Sequence, residues 1–454
     1  MADATNPIVI LVDHRNRDLP GAALLAYHLQ RRGTPCKLVP LEAYQAALSA
    51  YRPSLILFNH LMASHLAAFS KRLHKMGVLV GVLLNEGLIY NRAALAFNTN
   101  RNHPDVHVDI YFSWNEIHAQ ELRKREFAKN CQVEVIGIPR FDFYFSPWRE
   151  VLKNPNLPPK TPGVTRVLAV SSAGLADKLN WDPALVDEVF SMWVKHVDYY
   201  KDYWGAIRAH HAARESMFEH IQALLKQERF EVVVRPHPRE ELDRYSNWLS
   251  SLSAQERSRV ILDHDTPIGE LIMDCDVELS LHRCTTAIEC WLLGRPDIEL
   301  PMEKHPILYS EERDYLAPEC HQPEELAGLV DAAVADPMQT AFAEKRQQHL
   351  QAWCAAPNGK VTQKMAELLL ALIQQRQAHG PDTTQLHFED WRKGWKLRLM
   401  DWLDKPYHWH PGTLIKRGLG LPVKEMRIQQ QEKAVRPSEA RAFIEKIARL
   451  AAAD

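Results

Sequence analysis

Arg235 and His237 flank Pro236 directly after the β-branched run Val232-Val233-Val234. Such a run reads as a short buried strand, and the prolines at 236 and 238 must end it, because neither can donate to a sheet ladder. A guanidinium and an imidazole at the carboxyl end of a strand suit a phosphate: one offers a planar fork of donors, the other a donor whose charge tunes near neutrality. The plainer alternative is a polar turn with Arg235 resting on a surface acid. Two more strand ends carry similar chemistry. Val167 to Val170 runs into Ser171-Ser172-Ala173-Gly174, small hydroxyl residues that let backbone approach a ligand. Val277 to Leu281 runs into His282-Arg283-Cys284-Thr285-Thr286 and a helix to Leu293. Thr285 or Thr286 at that helix start would offer hydroxyls beside free amides, an anion site, and Glu289 one turn later would accept bonds from a ribose. The competing reading is a capping box between these threonines and Glu289.

The first half has its own strand ends. Asp13-His14 follows Ile8 to Val12, Asn59-His60 closes the run Leu55 to Asn59, and Asn85-Glu86-Gly87 follows the apolar Val78 to Leu84. Glu86 is placed to act as a general base, or simply as a capping or salt-bridged loop acid. Arg140 is presented by the turn Gly137-Ile138-Pro139-Arg140-Phe141-Asp142. Two Asp-x-Asp triplets, Asp263-His264-Asp265 and Asp274-Cys275-Asp276, match a metal-holding pattern, but three-residue matches are common, and the second precedes its strand. No metal site is expected.

These strand ends require parallel sheets to position them. Apolar runs of about five residues alternate with helical patterns from residue 8 to residue 136, which means βαβ units and right-handed crossovers. The same alternation resumes at Val167. Between the halves, Pro155 to Pro162 is proline-dense and lacks an apolar period. The expected division is 1–154, a linker at 155–163, a second domain at 164–380 and a tail at 381–454. A chain of 454 residues is long for one core, and its near-neutral charge of −2 gives no global attraction to nucleic acid. The 7 cysteines are scattered without CxxC spacing, which points to a reducing compartment rather than zinc or disulfides. The polar start and the lack of an apolar run of roughly 18–20 residues lead to the expectation of a cytoplasmic protein.

Taken in order, the motifs resemble a known group. Gly137-Ile138-Pro139-Arg140-Phe141-Asp142 resembles the G-x-P-R-x-D turn of CDP-glycerol glycerophosphotransferases. Arg235-Pro236-His237-Pro238 resembles the HP motif that they share with bacterial sialyltransferases and capsule Kdo transferases. Asp265 through Pro296 resembles their acid-rich stretch, serine pair and G-x-P, with Thr285-Thr286 in place of the serines. The start, with Asp13, Asn59-His60 and Glu86-Gly87, looks like bacterial surface carbohydrate biosynthesis proteins. The resemblance covers about the first 370 residues. It implies a GT-B fold, two Rossmann-like doubly wound domains facing a cleft, here with a helical extension. It also implies a glycosyltransferase, or alditol-phosphate transferase, using a CMP- or CDP-activated donor without cofactor or metal, and a polysaccharide or lipid-linked glycan acceptor. In that scheme Arg235, His237, Ser171, Ser172, His282, Thr285, Thr286 and Glu289 hold the donor. Glu86 is the base, and Asp13, His14, Asn59, His60 and Arg140 lie on the acceptor side. The alternatives are a hydrolysing nucleotide-sugar 2-epimerase and a non-catalytic nucleotide-binding component of a polysaccharide assembly complex.

The tail lies outside the resemblance. From Trp391 to Arg449 Lys and Arg outnumber Asp and Glu by 14 to 6. Trp391, Trp395, Leu399 and Trp402 share one face of a helix. That face would either pack on the first domain or lie in an inner-membrane surface.

Overall fold

In a computed structural model of the chain, residues 6–84, 88–101, 105–281, 284–409 and 435–453 are described. The backbone forms two compact units. Unit 1 contains residues 1–89, 98–151 and 351–454, and unit 2 contains residues 90–97 and 152–350.

Unit 1 is built on six parallel strands: β1 (Ile8–Val12), β2 (Cys36–Pro40), β3 (Leu55–Phe58), β4 (Leu79–Leu83), β5 (Ile110–Ser113) and β6 (Gln132–Val135). Their order is β2-β1-β3-β4-β5-β6, with Ile8 in register with both Cys36 and Leu55. Continuous apolar runs form these strands because both sheet faces are covered. Successive residues of β1 feed opposite cores: Val9 and Leu11 join one cluster, Ile8 and Ile10 the other. Each such side chain contributes about 1.5–3 kcal/mol on burial.

Unit 2 repeats the plan with β7 (Thr165–Val170), β8 (Phe230–Arg235), β9 (Val260–Leu262), β10 (Val277–Leu281) and β11 (Asp297–Leu300). The order is β11-β10-β7-β8-β9, and every pairing is parallel. Val167 and Ala169 face one core, Leu168 and Val170 the other. Strand β11 was not expected from the sequence.

The chain after residue 350 packs within unit 1. Helix Val361–Arg376 lays Val361, Met365, Leu369 and Leu372 against the sheet. Its first amides are capped from afar: the buried Asp142 carboxylate accepts from Val361 N at 2.9 Å, Thr362 N at 2.8 Å and Thr362 Oγ1 at 2.7 Å. The acid of the Gly-x-Pro-Arg-x-Asp turn is thereby a structural clamp at a helix N-terminus. Helix Phe388–Trp402 packs on helix Tyr44–Tyr51 through Gly394, Leu397 and Met400. A Cβ on Gly394 would lie 2.9 Å from Ala50 N, so glycine sets that close approach. Helix Pro437–Ala453 rests on helix Arg15–Arg31. Two Rossmann-like α/β units with a helical C-terminal extension match a GT-B-type fold.

Candidate functional site

In each sheet the chain runs outward from one strand and then returns to that strand's other side. Ligands of open α/β sheets bind beyond the carboxyl ends at such a switch point. In unit 2 the switch lies between β7 and β10, where the expected donor residues cluster.

Three loops are tied together there. Ser171 N donates to Arg235 O at 2.9 Å, and Ser172 Oγ donates to Leu281 O at 2.6 Å, joining the ends of β7, β8 and β10. The loop after β8 is held from below by Glu240. Its buried carboxylate accepts from His237 N at 3.0 Å, Ser171 Oγ at 2.6 Å and Tyr245 OH at 2.7 Å, and faces Arg214 at 3.4 Å. Arg214 in turn pairs with Asp177 at 2.6 Å, whose other oxygen accepts from Glu241 N at 2.7 Å. Burial and the Glu240 charge push the Tyr245 phenol upward. No sequence spacing announced this network.

The network fixes the His237 ring. Nδ1 accepts from Arg239 N at 3.1 Å, so the proton of the neutral ring belongs on Nε2, which becomes a donor. The ring lies on Gly174, where a Cβ would come within 2.8 Å of Nδ1. Gly174→Ala is therefore expected to displace the imidazole and cut turnover by about tenfold to a hundredfold. Its melting temperature should stay near wild type, as read by initial rates and thermal denaturation.

Arg235 is mostly buried. Nη1 bonds both the Asp263 carboxylate at 3.2 Å and its carbonyl at 3.3 Å, and Nε and Nη2 take no part in these two bonds. Burial lowers the guanidinium pKa against the pull of Asp263 and Asp265. Asp263 also accepts from Thr266 Oγ1 at 2.7 Å. Of the second acid triplet, Asp276 accepts from Arg166 N at 2.9 Å, and Asp274 pairs with the Arg166 guanidinium.

Helix Thr286–Leu293 begins without a side-chain cap from Thr285, so the capping box is not formed. The Thr286 hydroxyl instead donates to buried Glu278 on β10, which also meets Cys290 Sγ at 2.8 Å. Glu289 is buried as well. His282 and Arg283 lie outside the described residues. Burial pushes Glu278 up to about 8, helped by Asp297 and Glu289 and opposed by the bonds from Cys290 and Thr286. The sign follows from proton counting: between its ordinary value of about 4.3 and this raised value, the folded state keeps a proton that the unfolded chain has lost. Stability from this group is full below the window and falls as pH rises through it, by about 1.4 kcal/mol per pH unit. Glu278→Gln is expected to flatten the melting temperature between pH 5 and pH 8, measured by denaturation at several pH values.

In unit 1 the switch lies between β1 and β3, and a pocket opens there. Its lining includes Arg17, Asp18, Asn59, Trp114, Pro139 and Arg140. Arg140 is stacked 5.3 Å from the Trp114 ring. The buried Trp114 Nε1 has no hydrogen-bond partner among the described residues, and an unmet buried donor is costly. Asp13 pairs with Arg17 at 2.9 Å. His14 caps its helix, with Nδ1 accepting from Asn16 N at 3.2 Å. His60 is half-buried, and burial lowers its pKa. Asn59 and Arg140 thus reach the pocket, whereas Asp13 and His14 serve the helix start. Glu86 lies outside the described residues.

One further cluster has metal-ligand chemistry: His74, His107 and Asp109, with ligand atoms within 4.8 Å of one another. It sits before β5, at the amino edge of the sheet and away from the switch point. His74 and His107 are stacked with centroids 3.7 Å and planes 24° apart, and His107 Nε2 lies 3.2 Å from Asp109 Oδ1. Among the described residues no helix is long and apolar enough to cross a membrane.

No protein-family model matches the chain, and no curated protein does. Solved structures resemble it at low identity. The S. aureus MnaA–UDP structure is 10% identical, covering 81% of this chain and 98% of its own, with TM-score 0.49. The wall teichoic acid polymerase TagF with CDPG is 14% identical, covering 84% and 92%, with TM-score 0.48. Anabaena HepE with UDP and glucose is 12% identical, covering 81% and 100%, with TM-score 0.43. Likenesses this distant carry no argument about function, which rests on the residues themselves.

Proposed function

We propose that the chain is a transferase that moves a sugar, or an alditol phosphate, from a CMP- or CDP-activated donor to a surface polysaccharide or glycolipid acceptor. The observation that carries this is the His237 loop. At the carboxyl edge of a parallel sheet, a buried carboxylate holds the histidine's own amide, and a backbone N–H occupies Nδ1, leaving Nε2 as the donor. Such preorganisation is what stabilises charge growing on a leaving phosphate. Arg235 supplies the second cationic contact. Ser171 and Ser172 tie the loops, and the start of the helix at Thr285 and Thr286 adds backbone amides.

In the sugar reaction, the acceptor hydroxyl oxygen attacks the anomeric carbon and forms the new C–O bond. The bond from that carbon to the phosphate oxygen breaks, and the nucleotide leaves with the electron pair. The hydroxyl proton passes to a carboxylate, which we assign to Glu86. The acceptor is assigned to the unit 1 pocket, where Asn59, Arg140 and the Trp114 indole N–H offer hydrogen bonds to hydroxyls. The chemistry needs no cofactor beyond the activated donor.

Nucleotide release is the test. The protein is incubated with CMP-, CDP- and UDP-activated donors, with and without glycolipid or polysaccharide acceptor, and free nucleotide is measured. A transferase releases CMP or CDP in an acceptor-dependent manner. Acceptor-independent release of UDP would replace this reading by a hydrolysing 2-epimerase, and nucleotide binding without release would replace it by a non-catalytic component.

A further inference from the structure

Among the described residues, helix Phe388–Trp402 packs within unit 1 through one side. That side is anchored at both ends and along its length. Ser49 Oγ donates to Asp390 O at 2.5 Å, and Arg72 pairs with the Asp390 carboxylate. Arg398 donates to Ala50 O at 2.6 Å, and Tyr51 bonds Asp401. Leu397 and Met400 are buried. The opposite side is apolar and turned to solvent. Phe388 is 79% exposed, Trp395 70%, Leu399 50% and Trp402 80%, and Trp391 lies on the same strip. At 100° per residue these five fall within about one-fifth of the circumference, over a length of roughly 20 Å. A stripe of this kind on a firmly seated helix is not an unpacked core face, because the core face of the same helix is already filled. Exposed apolar patches of this size mark interaction sites.

The charges around the stripe choose the occupant. Lys396 borders it on one side and Arg398 on the other, with Arg392 near its edge and Lys393 beyond Lys396. The acids of the helix are turned away or neutralised: Asp390 and Asp401 face the core, and Glu389 pairs with Arg392 at 2.6 Å. Lys396 lies 4.4 Å from the Tyr407 ring, and its pKa is lowered by burial and by Arg392. Tryptophans at headgroup depth with a cationic border fit an anionic lipid surface. We infer that the outer face of helix Phe388–Trp402 docks unit 1 on an anionic membrane, lying in the interface without crossing it. The docking surface involves none of the donor-site residues, so the two readings stand or fall separately.

The test is flotation of the full-length protein, without nucleotide, on vesicles of phosphatidylglycerol and phosphatidylcholine and on vesicles of phosphatidylcholine alone. Wild type is expected to float with the anionic vesicles at low salt, to bind them less as salt rises, and to remain behind with the neutral ones. The double variant Trp395→Glu and Trp402→Glu changes only exposed side chains. It should keep its melting temperature and lose about tenfold or more of the partitioning. Lys396→Glu should weaken binding to anionic vesicles and reduce its salt dependence. The inference is overturned if wild type stays off anionic vesicles at low salt, or if the double variant floats as wild type does. It is equally overturned if the double variant converts a wild-type dimer into a monomer without changing flotation, since the stripe would then belong to a second copy of the chain.

Discussion

His237→Ala is expected to lower turnover by about 10²–10³-fold while the melting temperature stays within a few degrees of wild type. The expectation follows from how the side chain is held. Its ring accepts from Arg239 N, and the loop itself is anchored through the His237 amide to Glu240, a bond that alanine keeps. The mutation thus removes a donor and leaves its scaffold. Steady-state rates with the activated donor, beside a denaturation curve, check it. Turnover near that of wild type would remove His237 from the phosphate site, and collapse of the fold would show that the ring's contact with Gly174 is structural.

The second large effect concerns the scaffold. Glu240→Ala removes the acceptor shared by the His237 amide, Ser171 and Tyr245 and one of three carboxylates facing Arg214. Arg214 is 1% exposed on its side chain, so its charge would be left with Asp177 at 2.6 Å and the more distant Glu215 at 3.9 Å. Breaking a buried ion pair costs about 3–5 kcal/mol, which in a unit of this size lowers the melting temperature by roughly 10 °C. Activity should fall with it, because the His237 loop loses its anchor. Glu240→Gln retains an acceptor oxygen and is expected to lose less of both. Calorimetric denaturation of the two variants is the check, and an unchanged transition in Glu240→Ala would mean the network is not what holds the loop.

The strand ends were legible because β-branched and apolar runs need no partner information to be read as buried parallel strands. Their boundaries emerged within a residue or two, as at Ile8–Val12 and Val277–Leu281. What escaped was built from charges whose partners lie far along the chain. Strand β11 reads Asp-Ile-Glu-Leu, and its buried Asp297 is paired with Arg346 at 2.7 Å and accepts a hydrogen bond from Trp291 Nε1 at 2.7 Å. Asp142 caps a helix that begins 219 residues later. Besides the His237 amide of its own loop, Glu240 draws its partners from the end of β7 and from two helices, through Ser171, Arg214 and Tyr245. Thr286 looked like a cap, yet a buried acid on the neighbouring strand competes for its hydroxyl. In the tail, the spacing of Trp391, Trp395, Leu399 and Trp402 correctly grouped one helical face, but Gly394, Leu397 and Met400 do the packing. A glycine opposite three tryptophans is a weak signal in sequence, and it becomes readable only when Ala50 is seen against it.

We propose that a nucleotide-activated donor is held at the carboxyl edge of unit 2 by the His237 loop. The most direct measurement is calorimetric titration of CMP, CDP, UDP and GDP into wild type and His237→Ala. Saturable binding of CMP or CDP to wild type is expected, weakened about tenfold or more in the variant. Failure of all four nucleotides to bind, or equal affinity in the two proteins, would contradict it.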